Sequence, residues 1–273
     1  MSRMRLSDVF KRCKSEGRAA LVGYLTAGDP DLENSRKLLA TLASHVDILE
    51  VGMPFSDPMA DGPVIQAASE RALASGTKIA DVFAITAELR SANPELGIVL
   101  MGYANIAYAM GFETFAERAK TAGADGVLLV DIPPEEGEIC DAIFAAHGLD
   151  RILLLSPTST DERIRLASAK GTGFIYYVSL TGITGAEMGA MDDIRAKTQH
   201  IQSMTDKPVC VGFGVKTPQQ VADVGAFADG VVVGSHFVSQ ITSHDSAEAT
   251  LEALNSSALA MQQAIAKGQQ AAT

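Results

Sequence analysis

Residues 32–52 read LENSRKLLATLASHVDILEVG, and the stretch changes character halfway. Up to His45 it carries the spacing of a helix. VDILEVG (46–52) is a short apolar run without polar/apolar alternation, the pattern of a strand buried on both faces. Similar runs recur at AALVGYL (19–25), GIVLMGY (97–103), DGVLLVDI (125–132), RILLLS (151–156), GFIYYVS (173–179), PVCVGFG (208–214) and DGVVVG (229–234). Between them, 80–92, 112–123, 135–148, 160–171 and 217–228 have helical spacing. Thr160 and Thr217 stand as N-caps, and Gly123, Gly148 and Gly171 at the position that ends a helix. Strands that alternate with helices in this way form a parallel α/β sheet. Closed on itself, the sheet is a (β/α)8 TIM barrel; left open, it is doubly wound. The first helical piece, LSDVFKRCKSEG (6–17), is expected to cap the barrel bottom as an extra N-terminal helix. No linker interrupts residues 1–273, which read as a single TIM-barrel domain with a frayed polar tail after about residue 267.

Composition narrows the partners. The formal charge is −11, with no block of like charges, so the long-range field disfavours nucleic acid and anionic lipid. The N-terminus lacks the apolar core of a signal peptide, and no run reaches the roughly 18 apolar residues of a membrane span. The reading is a cytoplasmic protein. Cys13, Cys140 and Cys210 are odd in number and lack metal-ligand spacing, which suggests buried thiols and no metal site.

In a barrel, the chemistry belongs at the carboxyl ends of the strands. Glu50, Asp61, Asp131 and Gly182 to Gly185 fall there. Glu50 shares a strand face with Ile48. If Ile48 points inward, Glu50 enters the barrel mouth among apolar neighbours, where lost hydration favours its protonated form and suits it to general acid/base work. A strand-end cap or a lysine partner is the plainer reading. Asp61 lies in FSDPMADGP (55–63), a connection long for its place and stiffened by Pro54, Pro58 and Pro63. Stiffness suits a fixed side chain or a docking surface, although Asp-Gly-Pro is also ordinary turn chemistry.

Gly212 and Gly214 end one late strand and Gly234–Ser235 another, where barrels commonly bind phosphate through backbone N–H groups; tight turns without a ligand are the alternative. SLTGITGAEMGAM (179–191) reads as a mobile lid or as a connector. Neither GxxxxGK[ST] nor a GxGxxG after the first strand is present, so nucleotide cofactors rank low.

Together, YLTAGDP (24–30), Glu50 followed by GMPFSDPMADGPVIQ, MGYAN (101–105), DIPPEE (131–136), GITGAE (182–187), GFGV (212–215) and VVGS (232–235) resemble the α subunit family of tryptophan synthase, in family order from about residue 5 to 260. The resemblance implies cleavage of indole-3-glycerol phosphate to indole and glyceraldehyde 3-phosphate, with no metal or cofactor in this subunit. It implies Glu50 as acid/base and Asp61 as the carboxylate that meets the indole N–H, supported by Tyr176 and Thr184 respectively. It places phosphate near Gly185, Gly214, Gly234 and Ser235, and lines the indole pocket with Tyr24, Met101, Tyr103, Leu128 and Phe213. Asp57, Pro58, Asn105 and Pro133 resemble the surface that meets a pyridoxal-phosphate-bearing β subunit in an α2β2 heterotetramer.

Two positions depart from the enterobacterial pattern: Leu180 replaces an arginine, and Tyr24 replaces a phenylalanine whose site has no hydroxyl to satisfy. Three other functions compete. Another phosphate-binding barrel enzyme would leave Glu50 and the SDPxADGP loop unexplained. A stand-alone indole-releasing lyase would free the docking loop to differ. A silent binding subunit would be expected to lose a carboxylate.

Overall fold

The computed structural model describes residues 6–178, 188–212 and 214–267. Its strands are β1 (Ala20–Thr26), β2 (Ile48–Gly52), β3 (Gly97–Gly102), β4 (Gly126–Leu129), β5 (Asp150–Arg151), β6 (Leu153–Leu155), β7 (Ile175–Val178), β8 (Val209–Gly212) and β9 (Gly230–Val233). Each pairs in parallel with its neighbours, in the order β5-β4-β3-β2-β1-β9-β8-β7-β6. β5 and β6 are halves of one run parted at Ile152. One half pairs with β4 and the other with β7, so the run joins the two ends of the sheet. The segments fill the eight strand positions of a TIM barrel, and the open-sheet alternative is excluded.

Strand alternation divides the core in two. Val22, Ile48, Val99, Leu128, Ile152, Phe174, Cys210 and Val232 point inward, where they meet Leu6, Val9, Phe10 and Cys13 of the helix Leu6–Ser15. That helix plugs the barrel bottom, as expected from its apolar spacing. The opposite strand faces carry residues such as Leu21, Leu49 and Val231, which pack against the outer helices. Along the bottom rim, Asp47, Asp125 and Asp229 each precede a strand and accept the N–H of Leu21, Ile98 and Val209 on the neighbouring strand, all at 2.9 Å.

Local details differ from expectation in four places. The fourth strand stops at Leu129 rather than Ile132, as the chain turns with Ile132 N–H on the Leu129 carbonyl. Residues 135–148 do not form one helix. A 3-10 turn, Pro134–Ile139, precedes a short helix, Asp141–Ala146, with Cys140 between them; Gly137, within the turn, disfavours continuous helix. Thr160 and Thr217 cap their helices as expected, and Gly123 is left-handed, but Gly171 is extended and leads straight on towards β7. The connection read as 55–63 ends at Gly62, because Pro63 already opens the helix Pro63–Ala74 at its first position, where a missing N–H costs nothing. The expected tail after residue 267 lies outside the described residues.

Candidate active site

Ile48 does point inward, and Glu50, two residues further along β2, shares its direction. Its residue is 1% exposed, and its Oε1 has no hydrogen-bond partner among the described residues. Neither a cap nor a lysine pair explains it. Burial pushes its carboxyl up to about 8, so Glu50 is mostly protonated at neutral pH.

The residues around it are arranged by glycine. A side chain at Gly52 would sit 2.3 Å from the Tyr24 hydroxyl, and one at Gly212 would sit 2.7 Å from the Tyr176 hydroxyl. Those two positions therefore leave room for two phenols in the barrel's upper layer. The Tyr24 hydroxyl pairs with Thr26 Oγ1 at 3.0 Å, which supplies the partner that a buried tyrosine needs. Burial raises both phenols, and the nearby Glu50 contributes in each case.

Asp61 reaches the same mouth from the connection after β2. Its Oδ2 accepts the Tyr103 hydroxyl at 3.0 Å, and the same hydroxyl accepts the Ala60 N–H at 2.9 Å. Tyr103 stacks on Phe55, with ring centroids 4.9 Å apart. Gln66 Nε2 donates to the Asp61 carbonyl at 2.8 Å, so the following helix also holds the connection. Burial raises the Asp61 carboxyl, and the Tyr103 hydrogen bond opposes that rise. Asp131, also near this mouth, has a structural role, since it accepts the Ala104 N–H at 2.8 Å where the helix Ala104–Met110 begins.

Asp61, Met101 and Tyr176 line a cavity of about 420 Å³ at the carboxyl ends of β2 to β7. Glu50, Leu128, Tyr24 and Tyr103 are buried and do not line it. Ile132, Pro134, Ser159 and Arg163 do line it, and the sequence reading missed them. Their signal was weak because they lie beyond the strand ends, in connections whose path the sequence leaves open. Gly214 has φ +78°, with open space where a side chain would be, and Gly234 precedes the helix Ser235–Gln240. Of the docking candidates, Asp57 and Asn105 are exposed, while Pro58 and Pro133 are half-buried. Leu180, Thr184, Gly185 and Phe213 lie outside the described residues. Among the described residues, no cluster of side chains could hold a metal ion, and no helix is long and apolar enough to cross a membrane.

Fold and site define a class: a TIM barrel whose catalytic-end mouth holds one buried neutral carboxyl and a second carboxylate on a tethered connection. Comparison makes the class specific. Residues 10–266 match the family model described as tryptophan synthase alpha chain. Two relatives bearing that name are those of Marinobacter nauticus, 48% identical over 88% of this chain and 89% of the relative, and a Geobacter species, 45% identical over 97% and 98%. Among solved structures, tryptophan synthase subunit alpha from Legionella pneumophila matches with a TM-score of 0.87 at 38% identity, covering 96% of this chain and 98% of that one. A Mycobacterium tuberculosis tryptophan synthase chain matches with 0.87 at 35% identity, covering 97% and 99%. The chain belongs to the tryptophan synthase alpha chain family.

Proposed function

We propose that this chain catalyses the α reaction of tryptophan synthase in L-tryptophan biosynthesis: retro-aldol cleavage of indole-3-glycerol phosphate to indole and glyceraldehyde 3-phosphate. The observation that carries the reading is the buried Glu50, whose Oε1 has no partner among the described residues, at the same end of the barrel as the Tyr103-held Asp61. Protonated Glu50 delivers its proton to C3 of the indole ring. The resulting carboxylate then takes the proton of the neighbouring glycerol hydroxyl. The C–C bond breaks as the aldehyde forms, its electrons return to the ring, and Glu50 is again neutral. Asp61 accepts the indole N–H and stabilises the positive charge that develops there during C3 protonation.

Tyr176 supports Glu50, and Thr184 supports Asp61. Met101 borders the ring, with Tyr24, Tyr103 and Leu128 buried behind the cavity lining, and Phe213 completes the set that the resemblance names. Backbone amides near Gly185, Gly214, Gly234 and Ser235 receive the phosphate. The whole chain works as one barrel in the cytoplasm, without a cofactor of its own. Asp57, Pro58, Asn105 and Pro133 contribute to docking on a β subunit, which carries pyridoxal phosphate and receives the indole in an α2β2 heterotetramer.

Indole release by wild type and by Glu50→Gln, each with and without a β subunit, tests the reading. A positioned acid/base contributes on the order of 10²–10⁴-fold, so release by the variant should fall by that much while substrate binding persists. Equal release by both proteins would remove Glu50 from the chemistry.

A further inference from the structure

We propose that Arg151 and Lys170 are positioning residues that hold one wall of the indole cavity, the segment Ile132–Pro134, in place through its carbonyl oxygens. Three features of the segment lead there. It has left the sheet after Leu129, so no strand ladder holds it. Pro133 and Pro134 have no N–H, so its backbone has few donors with which to anchor itself. Yet Ile132, Pro133 and Pro134 line the cavity that Asp61 and Tyr176 share. A wall of this kind can be fixed chiefly through its acceptors, and two cations from other elements supply the donors.

Arg151 Nη2 donates to the Ile132 carbonyl at 3.0 Å, and Lys170 Nζ donates to the Pro134 carbonyl at 2.9 Å. Arg151 is placed for this by the break in the fifth strand position. Ile152 points into the barrel, so Arg151 points outward, beneath the segment. Its side chain is 3% exposed and also pairs with Asp141, at the start of the helix that follows the segment. Nη1 lies 3.0 Å from Cys140 Sγ, while Nε has no partner among the described residues. A buried guanidinium costs desolvation unless its partners are well placed. The partners here are the two ends of the connection that forms the wall: Ile132 before the turn and Asp141 after it. Lys170, on the helix Asp161–Lys170, grips the middle.

The proposal rests on the cavity's being an indole site, and its test separates the two ideas. The chain contains no tryptophan, so the fluorescence of added indole, excited at the red edge where the five tyrosines absorb little, reports binding. Indole titrations and steady-state cleavage of indole-3-glycerol phosphate would be run on wild type, Arg151→Met, Arg151→Lys and Lys170→Met, with melting curves for each. A displaced wall should weaken indole binding and raise KM by about tenfold in Arg151→Met, with kcat changed by less than about threefold. Arg151→Lys should recover part of the loss. Lys170→Met should show a smaller shift in the same direction.

A folded Arg151→Met that binds indole as wild type does would overturn the proposal. If Arg151→Met does not fold, the comparison passes to Lys170→Met, and unchanged indole affinity there would overturn it equally. Wild type that binds indole but cleaves no substrate would defeat the proposed function while leaving the wall to be judged by binding alone.

Discussion

At Glu50, function and stability pull in opposite directions. Burial raises the folded carboxyl from 4.5 to about 8, so the folded protein holds this proton more tightly than the unfolded chain does. Below the unfolded value both states are protonated and Glu50 carries no penalty. As pH climbs from 4.5 towards 8, the unfolded chain releases the proton first, and folding stability falls. Glu50→Gln keeps the shape and removes the titration. The variant should be more stable than wild type at pH 8 to 9 by an amount on the order of a few kcal/mol, with the difference closing below about pH 5. Parallel melting curves across that range would show that the carboxyl ionises freely when folded. Activity should decline on the alkaline side as Glu50 loses its proton before substrate binds, and on the acid side as Asp61, its carboxyl raised by burial, takes up a proton and no longer stabilises the charge on the indole N–H.

At the level of elements, the barrel bottom is tied by Asp47. Arg18 meets it at 2.6 and 2.8 Å, Arg12 at 3.3 Å, and the Leu21 N–H at 2.9 Å. One carboxylate thereby joins the plugging helix, β1 and the entry to β2. Burial works against its ionisation, but the Arg18 and Leu21 hydrogen bonds outweigh burial and hold its pKa below 3.8. The stabilisation is therefore full above the ordinary aspartate range and fades as pH falls below it. Asp47→Asn should cost about 3 kcal/mol at pH 7, the scale of a broken buried pair, with a smaller gap near pH 3. Urea unfolding at the two pH values checks both magnitude and sign. Indifference at pH 7 would mean that the arginines find other partners.

For the whole molecule, the two most exposed large apolar side chains among the described residues follow the strands that carry Glu50 and Met101. Met59, on the connection that follows β2, is 84% exposed, and Tyr108, on the helix Ala104–Met110 that follows β3, is 73% exposed. Asp57 and Asn105 stand beside them in sequence, and both were singled out by resemblance. Large apolar side chains this exposed beside a site are candidates for a partner surface. Met59→Asp or Tyr108→Lys should weaken assembly with a β subunit by tenfold or more, roughly the cost of losing one well-buried interface anchor. Sedimentation of each variant with the β subunit measures this directly. Undiminished assembly by both would move the docking surface elsewhere.

Pattern along the chain narrowed the architecture to a parallel α/β sheet, closed or open, and brought Glu50 and Asp61 forward as candidates whose roles only the family resemblance supplied. Unalternated apolar runs separated by helical spacing admit few folds, and period-two geometry places Glu50 with Ile48 on any strand that contains both. The same pattern marked Thr160 and Thr217 as caps, because capping depends on residues within one turn. That Glu50 Oε1 has no partner among the described residues, that Tyr103 holds Asp61 and that Tyr24 finds Thr26 became legible only in the closed barrel. So did the room that Gly52 and Gly212 leave for phenols, and the place of Arg151 under Ile132. The difference is one of range: periodicity and caps arise from neighbours along the chain. Burial, pKa and the shape of a cavity arise from residues as far apart as Asp61 and Tyr103, which meet only when the barrel closes.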